Sequence, residues 1–351
     1  MKLKNIVTAM MVACSVGVCN ICMAKLALPP AALDRADGVY ADWALTLPFP
    51  DNNAGWLRLY KGANGEARAS LMWRWTGPNE LIGKKYKGEV QVDGQNISIR
   101  YLSTHWIKKA EDQCWIELKG GVEGDVMTLV YTEKDGLGNV TDGPRNISGR
   151  RITALDKKPD VSKIRYGEKI DLMDFSQWKL RDPALYNGWS VKDGVLSNRV
   201  KRDKDGKVVG KASSLITKRR DFKDFLLTLE VRMPHPGANS GVYLRGNYEI
   251  QLLAKHNDKP GVNDMGALYG YVAPKYAAEK EIGEWQQMSI CLYKRHITVT
   301  LNGVVIIDNE KVEGCTGGAL SADLSAPGPI WLQGDHTDVD IRKFEFTEIC
   351  D

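Results

Sequence analysis

The chain has 351 residues, 43% of them apolar and 26% charged, with a formal charge of +4 at pH 7. That length favours two domains, and either half is long enough to bury a core. The mild charge carries no lysine-arginine cluster, which argues against a nucleic-acid partner.

Residues 1–24 have the pattern of a secretory signal: Lys2 and Lys4 at the start, an apolar run over 6–22, and small residues near Cys22-Met-Ala24. Export to the periplasm or cell surface is the expectation. The rival is a lipoprotein anchored at Cys14 or Cys19, ranked second because neither follows a Leu-small-small pattern. No later apolar run nears the roughly 20 residues needed to span a bilayer. Four cysteines remain beyond the signal, Cys114, Cys291, Cys315 and Cys350, with no close-spaced metal-type pair.

Residues 25–37 are rich in Ala and Pro and are expected to form a linker. Over 38–155, short alternating runs are divided by turn residues: Trp56-Leu-Arg-Leu-Tyr60 before Gly62, a run over 69–75 before Gly77-Pro78, and 126–131 before Asp135-Gly136. This spacing predicts a small antiparallel β barrel or sandwich. Six of the ten tryptophans fall here, at 43, 56, 73, 75, 106 and 115, and core packing is their expected role ahead of sugar stacking.

A polar linker is expected over 156–170, followed by a second β domain over 171–351. Trp189-Ser-Val-Lys-Asp-Gly-Val-Leu196 predicts a strand, a turn and a strand. Further strands are expected over 224–232, with Leu227, Leu229 and Val231 on one face, and over 287–293 and 297–301. Asn302-Gly303 predicts a tight hairpin into 304–307. In the last strand the apolar parity changes between Ile341 and Phe344, which predicts a bulge near Arg342-Lys343. With many strands and no long helical pattern, the fold class is all-β, and a two-sheet jelly roll is expected for this half.

The most informative stretch is 237–252. Its two alternating runs put Val242, Leu244, Ile250 and Leu252 on one face and Tyr243, Arg245, Glu249 and Gln251 on the other. A three-residue loop, Gly246-Asn-Tyr248, keeps those faces separate and sets Arg245 opposite Glu249. A face carrying Tyr, Arg, Glu and Gln has the character of a polar cleft floor. An ordinary exposed ion pair is the alternative explanation.

The second domain resembles the 3-keto-disaccharide hydrolase domain family of secreted bacterial proteins. The residues that carry the resemblance over roughly 171–350 are Phe175-Ser-Gln-Trp178, Trp189, Asp193-Gly-Val-Leu196, Asp221-Phe-Lys-Asp-Phe225 and Asn239-Ser-Gly-Val-Tyr-Leu-Arg245. They continue with Tyr248-Glu-Ile-Gln251, Gly266-Ala-Leu-Tyr269, Gly283-Glu-Trp285, Leu301-Asn-Gly303, Leu332-Gln-Gly-Asp-His336 and Val339-Asp-Ile-Arg342. One departure is Leu172-Met-Asp174, where the family has a Phe-Asn-Gly-like start. The resemblance implies a concanavalin-like jelly-roll sandwich and a carbohydrate partner, a 3-keto sugar derivative. The first domain is similar to small β domains that often precede this module.

An ordinary retaining glycosidase needs two carboxyl groups about 5–5.5 Å apart. Jelly-roll glucanases often draw them from a Glu-x-Asp-x-x-Glu strand, and here the strand runs Glu249-Ile-Gln-Leu-Leu-Ala254. Asp264, Glu281 and Asp335 are the remaining candidate partners, and spacing selects none. A ketone at C3 opens another route. It acidifies the C2 hydrogen, so a base starts elimination of the C1 substituent and water adds back. The implied site has Glu249 and His336 as base and acid, with Arg245 or a divalent ion stabilising the enolate. Tyr243, Gln251, Asn239, Tyr269, Gln333 and Trp331 are expected to hold the sugar. Metal dependence stays open, with His256 a candidate ligand beside His336. The rival classes are a non-catalytic carbohydrate-binding module and a cell-surface adhesion or scaffold protein.

Overall fold

A computed structural model describes residues 39–350 except 51–52, 74–77, 83–85, 105 and 156. The expected signal, the linker over 25–37 and Trp75 lie outside the described residues.

Nine antiparallel strands between Asp42 and Arg151 make one sheet. Its edges are Asn79–Glu80 and Gly88–Asp93, and the second of these returns beside Ala67–Trp73, so the sheet curls on itself like a barrel. Strand alternation supplies the interior. In Val126–Lys134, Met127, Leu129 and Tyr131 are buried while Val126 and Val130 face out. Trp43, Leu45, Leu57, Leu59, Ile99 and Leu118 share that core. Strand Ala54–Lys61 buries both of its faces. Leu57 and Leu59 point into the barrel, whereas Ala54 and Trp56 join the core of the second unit. Trp43 and Trp56 are therefore core residues, as expected, while Trp106 is largely exposed.

The rest of the chain is a jelly-roll sandwich of an eight-stranded and a five-stranded sheet. Phe225–Arg232 lies within the larger sheet and turns Phe225, Leu227, Leu229 and Val231 inward. Opposite them, Val242, Leu244, Ile250, Leu252 and Leu332 come from the smaller sheet. Each such side chain removed from water contributes about 1.5–3 kcal/mol. The Asn302-Gly303 turn forms with both residues at positive φ, 51° and 84°, the geometry of a tight hairpin. The expected bulge in Val339–Cys350 forms at Lys343, where φ is 53° and the register against Phe225–Arg232 shifts.

One stretch differs from expectation. Arg165–Asp171, all but its last residue within the expected linker over 156–170, is a strand paired with the last strand of the chain. Its alternation is weak because its side chains are mostly exposed, so backbone pairing alone places it. All four cysteines in the described residues are free thiols. No helix among the described residues is long and apolar enough to cross a membrane.

Candidate functional site

The site lies on the outward face of the five-stranded sheet, whose order is Trp178–Leu180, Leu215–Thr217, Trp331–Leu332, Asn239–Leu244, Tyr248–Leu253. Tyr243 pairs with Glu249 and Gly241 with Gln251. The loop is Arg245-Gly-Asn247, two register steps from the expected one. A shift of two keeps every residue that stays in the strands on its expected face. The turn itself explains the shift. Arg245 and Gly246 take φ of 52° and 67°, and Asn247 N–H closes the turn on Leu244 O at 2.9 Å. Tyr248 joins the strand because its ring belongs to the inner face, with its hydroxyl on the Leu324 carbonyl.

The expected Arg245–Glu249 pair is therefore absent. Arg245 is buried and binds Asp224 at 2.6 Å and the carbonyls of Lys223 and Leu324. A turn residue cannot share the face of the strand behind it, so Arg245 braces the hairpin and does not line the cavity. Trp331 also departs from expectation. It stacks on Tyr243 with ring centroids 3.7 Å apart and planes 7° from parallel, and the Arg181 guanidinium lies 4.0 Å from its ring centre. Both faces are thus covered, Trp331 is fully buried, and its Nε1–H has no protein partner. It backs Tyr243 instead of holding a sugar.

Glu249, Gln251, Tyr243, Asn239, Tyr269, Gln333 and His336 do converge. With Lys211, Gly317 and Asp335 they line one cavity of about 330 Å³. Glu249 is only 4% exposed. Gly241, directly alongside, makes room for its carboxyl: a Cβ there would fall 2.8 Å from Glu249 Cγ. Burial pushes the Glu249 pKa up to about 8, against the opposing Tyr243 hydrogen bond and the His336 charge. The Tyr243 bond opposes the shift only while the phenol donates to Glu249, and its second contact bears on that. Tyr243 Oη lies 2.8 Å from Glu249 Oε2 and 2.7 Å from the Gly317 carbonyl. A phenol has one proton to donate, and a carbonyl can only accept. Both contacts are hydrogen bonds at once only when Glu249 carries a proton and donates it to Tyr243.

In the same cavity, His336 Nδ1 lies 2.7 Å from Asp335 Oδ1. That bond raises the imidazole pKa, with burial opposing it, and it keeps Asp335 below the usual carboxylate range despite Asp335's own burial. With Nδ1–H directed at Asp335, neutral His336 presents Nε2 as a proton acceptor. Gln251 donates to Asn239 at 3.2 Å, while Gln333, 7% exposed, has no protein partner for its Oε1.

Of the other candidate carboxylates, Asp264 accepts from Asn257 and Gly261 N–H, and Glu281 lines a separate cavity. His256 lines that same separate cavity, between Asp258 and Glu279, and does not join His336. Among the described residues no group of three or more His, Cys, Asp and Glu is placed to hold a metal ion. Lys211 and Gly317 were not legible in the sequence. Lys211 is one of several charges in a polar loop, and Gly317 stands in a glycine-rich stretch without a strand pattern.

Fold and site together define an antiparallel jelly-roll sandwich with a polar cavity on one sheet, lined by a buried glutamate and a histidine. Residues 168–347 match the 3-keto-alpha-glucoside-1,2-lyase-like domain, just over half of the chain, and the chain belongs to that family. Among solved structures it is similar to two presumed glycosyl hydrolases from Parabacteroides distasonis ATCC 8503. Both are 24% identical, one over 51% of this chain and 98% of its own (TM-score 0.38), the other over 56% and 94% (TM-score 0.40). A carbohydrate-binding module from Bacillus subtilis is 12% identical over 48% of this chain and 94% of its own, with a TM-score of 0.31. No curated protein matches the chain.

Proposed function

We propose that this protein cleaves 3-keto glycosides by elimination across C1 and C2. His336 Nε2 takes the C2 proton, which the neighbouring ketone acidifies. The electron pair moves into an enolate at the C3 oxygen and then expels the C1 substituent. Protonated Glu249 donates its proton to the departing oxygen. The sugar is left as a 1,2-unsaturated 3-ketone, and addition of water across that bond gives the free 3-keto sugar. Lys211 takes the place first expected of Arg245 as the cation beside the enolate oxygen. Gln333 Oε1 accepts from a sugar hydroxyl, and Gln251, Asn239 and Tyr269 supply further partners.

The observation that supports this reading is the pair of Tyr243 hydroxyl contacts, to Glu249 and to the Gly317 carbonyl, which together favour a protonated Glu249, with an Asp335-bonded His336 lining the same cavity. The rival chemistry of two independent carboxylates is disfavoured because Asp335 is engaged by His336. Export is part of the proposal and rests on residues 1–24, and sequencing the mature N-terminus tests it.

Purified protein is incubated with a 3-keto disaccharide and, separately, with the unoxidised disaccharide, each with and without EDTA. The expected result is release of 3-keto sugar from the first substrate alone. Run in D₂O, the product carries deuterium at C2. Binding of the sugar without cleavage of either substrate would sink the proposal in favour of a carbohydrate-binding module.

A further inference from the structure

Residues 313–317 connect the nine-stranded barrel to the cavity. The first of them, Glu313, accepts from Arg58 at 3.1 Å, and Arg58 also forms a two-point pair with Asp42 at 2.6 and 2.7 Å. Gly314 lies against Trp56. A Cβ there would fall 2.8 Å from Trp56 Cδ1 and would also collide with the Tyr271 hydroxyl. Cys315 Sγ lies 3.8 Å from Gly55 O, and its carbonyl accepts from Tyr271 at 2.8 Å. Thr316 Oγ1 then accepts from Glu249 N–H at 3.0 Å, and the Gly317 carbonyl accepts from Tyr243. Five consecutive residues thus run from an ion pair in the barrel to the hydroxyl that contacts the acid.

We propose that the barrel is a working part of the site, with Trp56 and Arg58 as positioning residues that hold residues 313–317 so that the Gly317 carbonyl occupies the Tyr243 hydroxyl proton. The consequence follows from donor counting. While Gly317 holds that proton, Tyr243 can only accept from Glu249, and Glu249 keeps its own. If the segment moves away, Tyr243 turns its proton to Glu249 and stabilises the carboxylate. The other titratable groups facing Glu249 are Tyr269, Asp335, His336 and Lys211, with Arg181 behind Trp331.

This inference rests on the reading of Glu249 as the acid, and its test separates the two. In the intact protein, the Glu249 carboxyl is titrated by ¹³C NMR on glutamate-labelled samples, assigned with Glu249→Gln. The pH profile of 3-keto glycoside cleavage is measured beside it. Gly314→Ala has no backbone strain to overcome and displaces the segment by contact alone. The expected result is a fall in the Glu249 pKa of about one to two units, the size of one hydrogen bond gained by a carboxylate. The alkaline limb of kcat falls with it. Glu313→Gln, which leaves the Arg58–Asp42 pair in place, shifts both in the same direction by less and serves where Gly314→Ala does not fold. Variants that lose stability yet titrate like the parent would overturn the proposal and leave the barrel a purely structural support. A shifted titration in a protein that cleaves no 3-keto glycoside would uphold the positioning and refute the substrate reading.

Discussion

Glu249 occupies a place that disfavours its own charge, and this has two measurable consequences. In the proposed elimination Glu249 is the acid and must be protonated, so activity is expected to fall as pH rises through about 8. In the same proposal His336 must be neutral, so activity is also expected to fall as pH drops through its raised pKa, leaving a bell whose limbs belong to the coupled pair. Glu249→Gln cannot donate a proton and is expected to lose about 10²–10⁴-fold in kcat, read from initial rates on a 3-keto glycoside. The same substitution changes stability in a pH-dependent way. An unfolded Glu releases its proton near 4.5, the folded one near 8. Between those values the unfolded state has lost a proton that the folded state keeps, so rising pH destabilises the native protein. Glu249→Gln removes that term. Its advantage in urea unfolding is expected to grow by a few kcal/mol from pH 4.5 to 8 and to vanish below.

At the scale of elements, the hairpin shows what alternation can and cannot specify. Parity placed Tyr243, Glu249 and Gln251 on one face correctly, because a strand has a side-chain period of two. It could not distinguish registers two residues apart, and the turn made that choice through the left-handed backbone of Arg245 and Gly246. Arg245 thereby moved from the cleft to a buried pair with Asp224. Arg245→Met leaves that carboxylate without its ion-pair partner, with only the Lys294 N–H still bound to it, and is expected to cost about 3–5 kcal/mol in denaturant unfolding. The folded variant keeps its kcat, since Arg245 does not line the cavity. The bulge at Lys343 was legible for the opposite reason: there the apolar parity itself changes.

On the scale of the whole molecule, the two cores are joined by strands that bury both faces. Trp56 is fully buried among residues of the second unit and meets Tyr271 edge-on at 5.7 Å. Trp56→Ala is expected to destabilise the protein by about 3–5 kcal/mol, measured by guanidinium unfolding, because a packed junction cannot collapse to fill so large a gap. A surface tryptophan such as Trp106 would show little change under the same truncation. In the sequence Trp56 carried only the signal of an apolar residue in an alternating strand. Its partners lie more than 200 residues away, at Tyr271 and Gly314.

The sequence by itself determined the all-β class, the apolar faces of the main strands, the Asn302-Gly303 hairpin and most of the polar residues of the cavity. These follow from local periodicity and turn chemistry, which neighbouring residues suffice to specify. The family resemblance, spread over many short motifs, added the carbohydrate context. Tertiary structure alone decided that Arg245 and Trp331 stand behind the site, that Lys211 and Gly317 stand within it, and that Glu249 meets a tyrosine whose hydroxyl also contacts the Gly317 carbonyl. Those outcomes depend on distances between segments far apart in the chain, and on burial, neither of which is encoded in spacing.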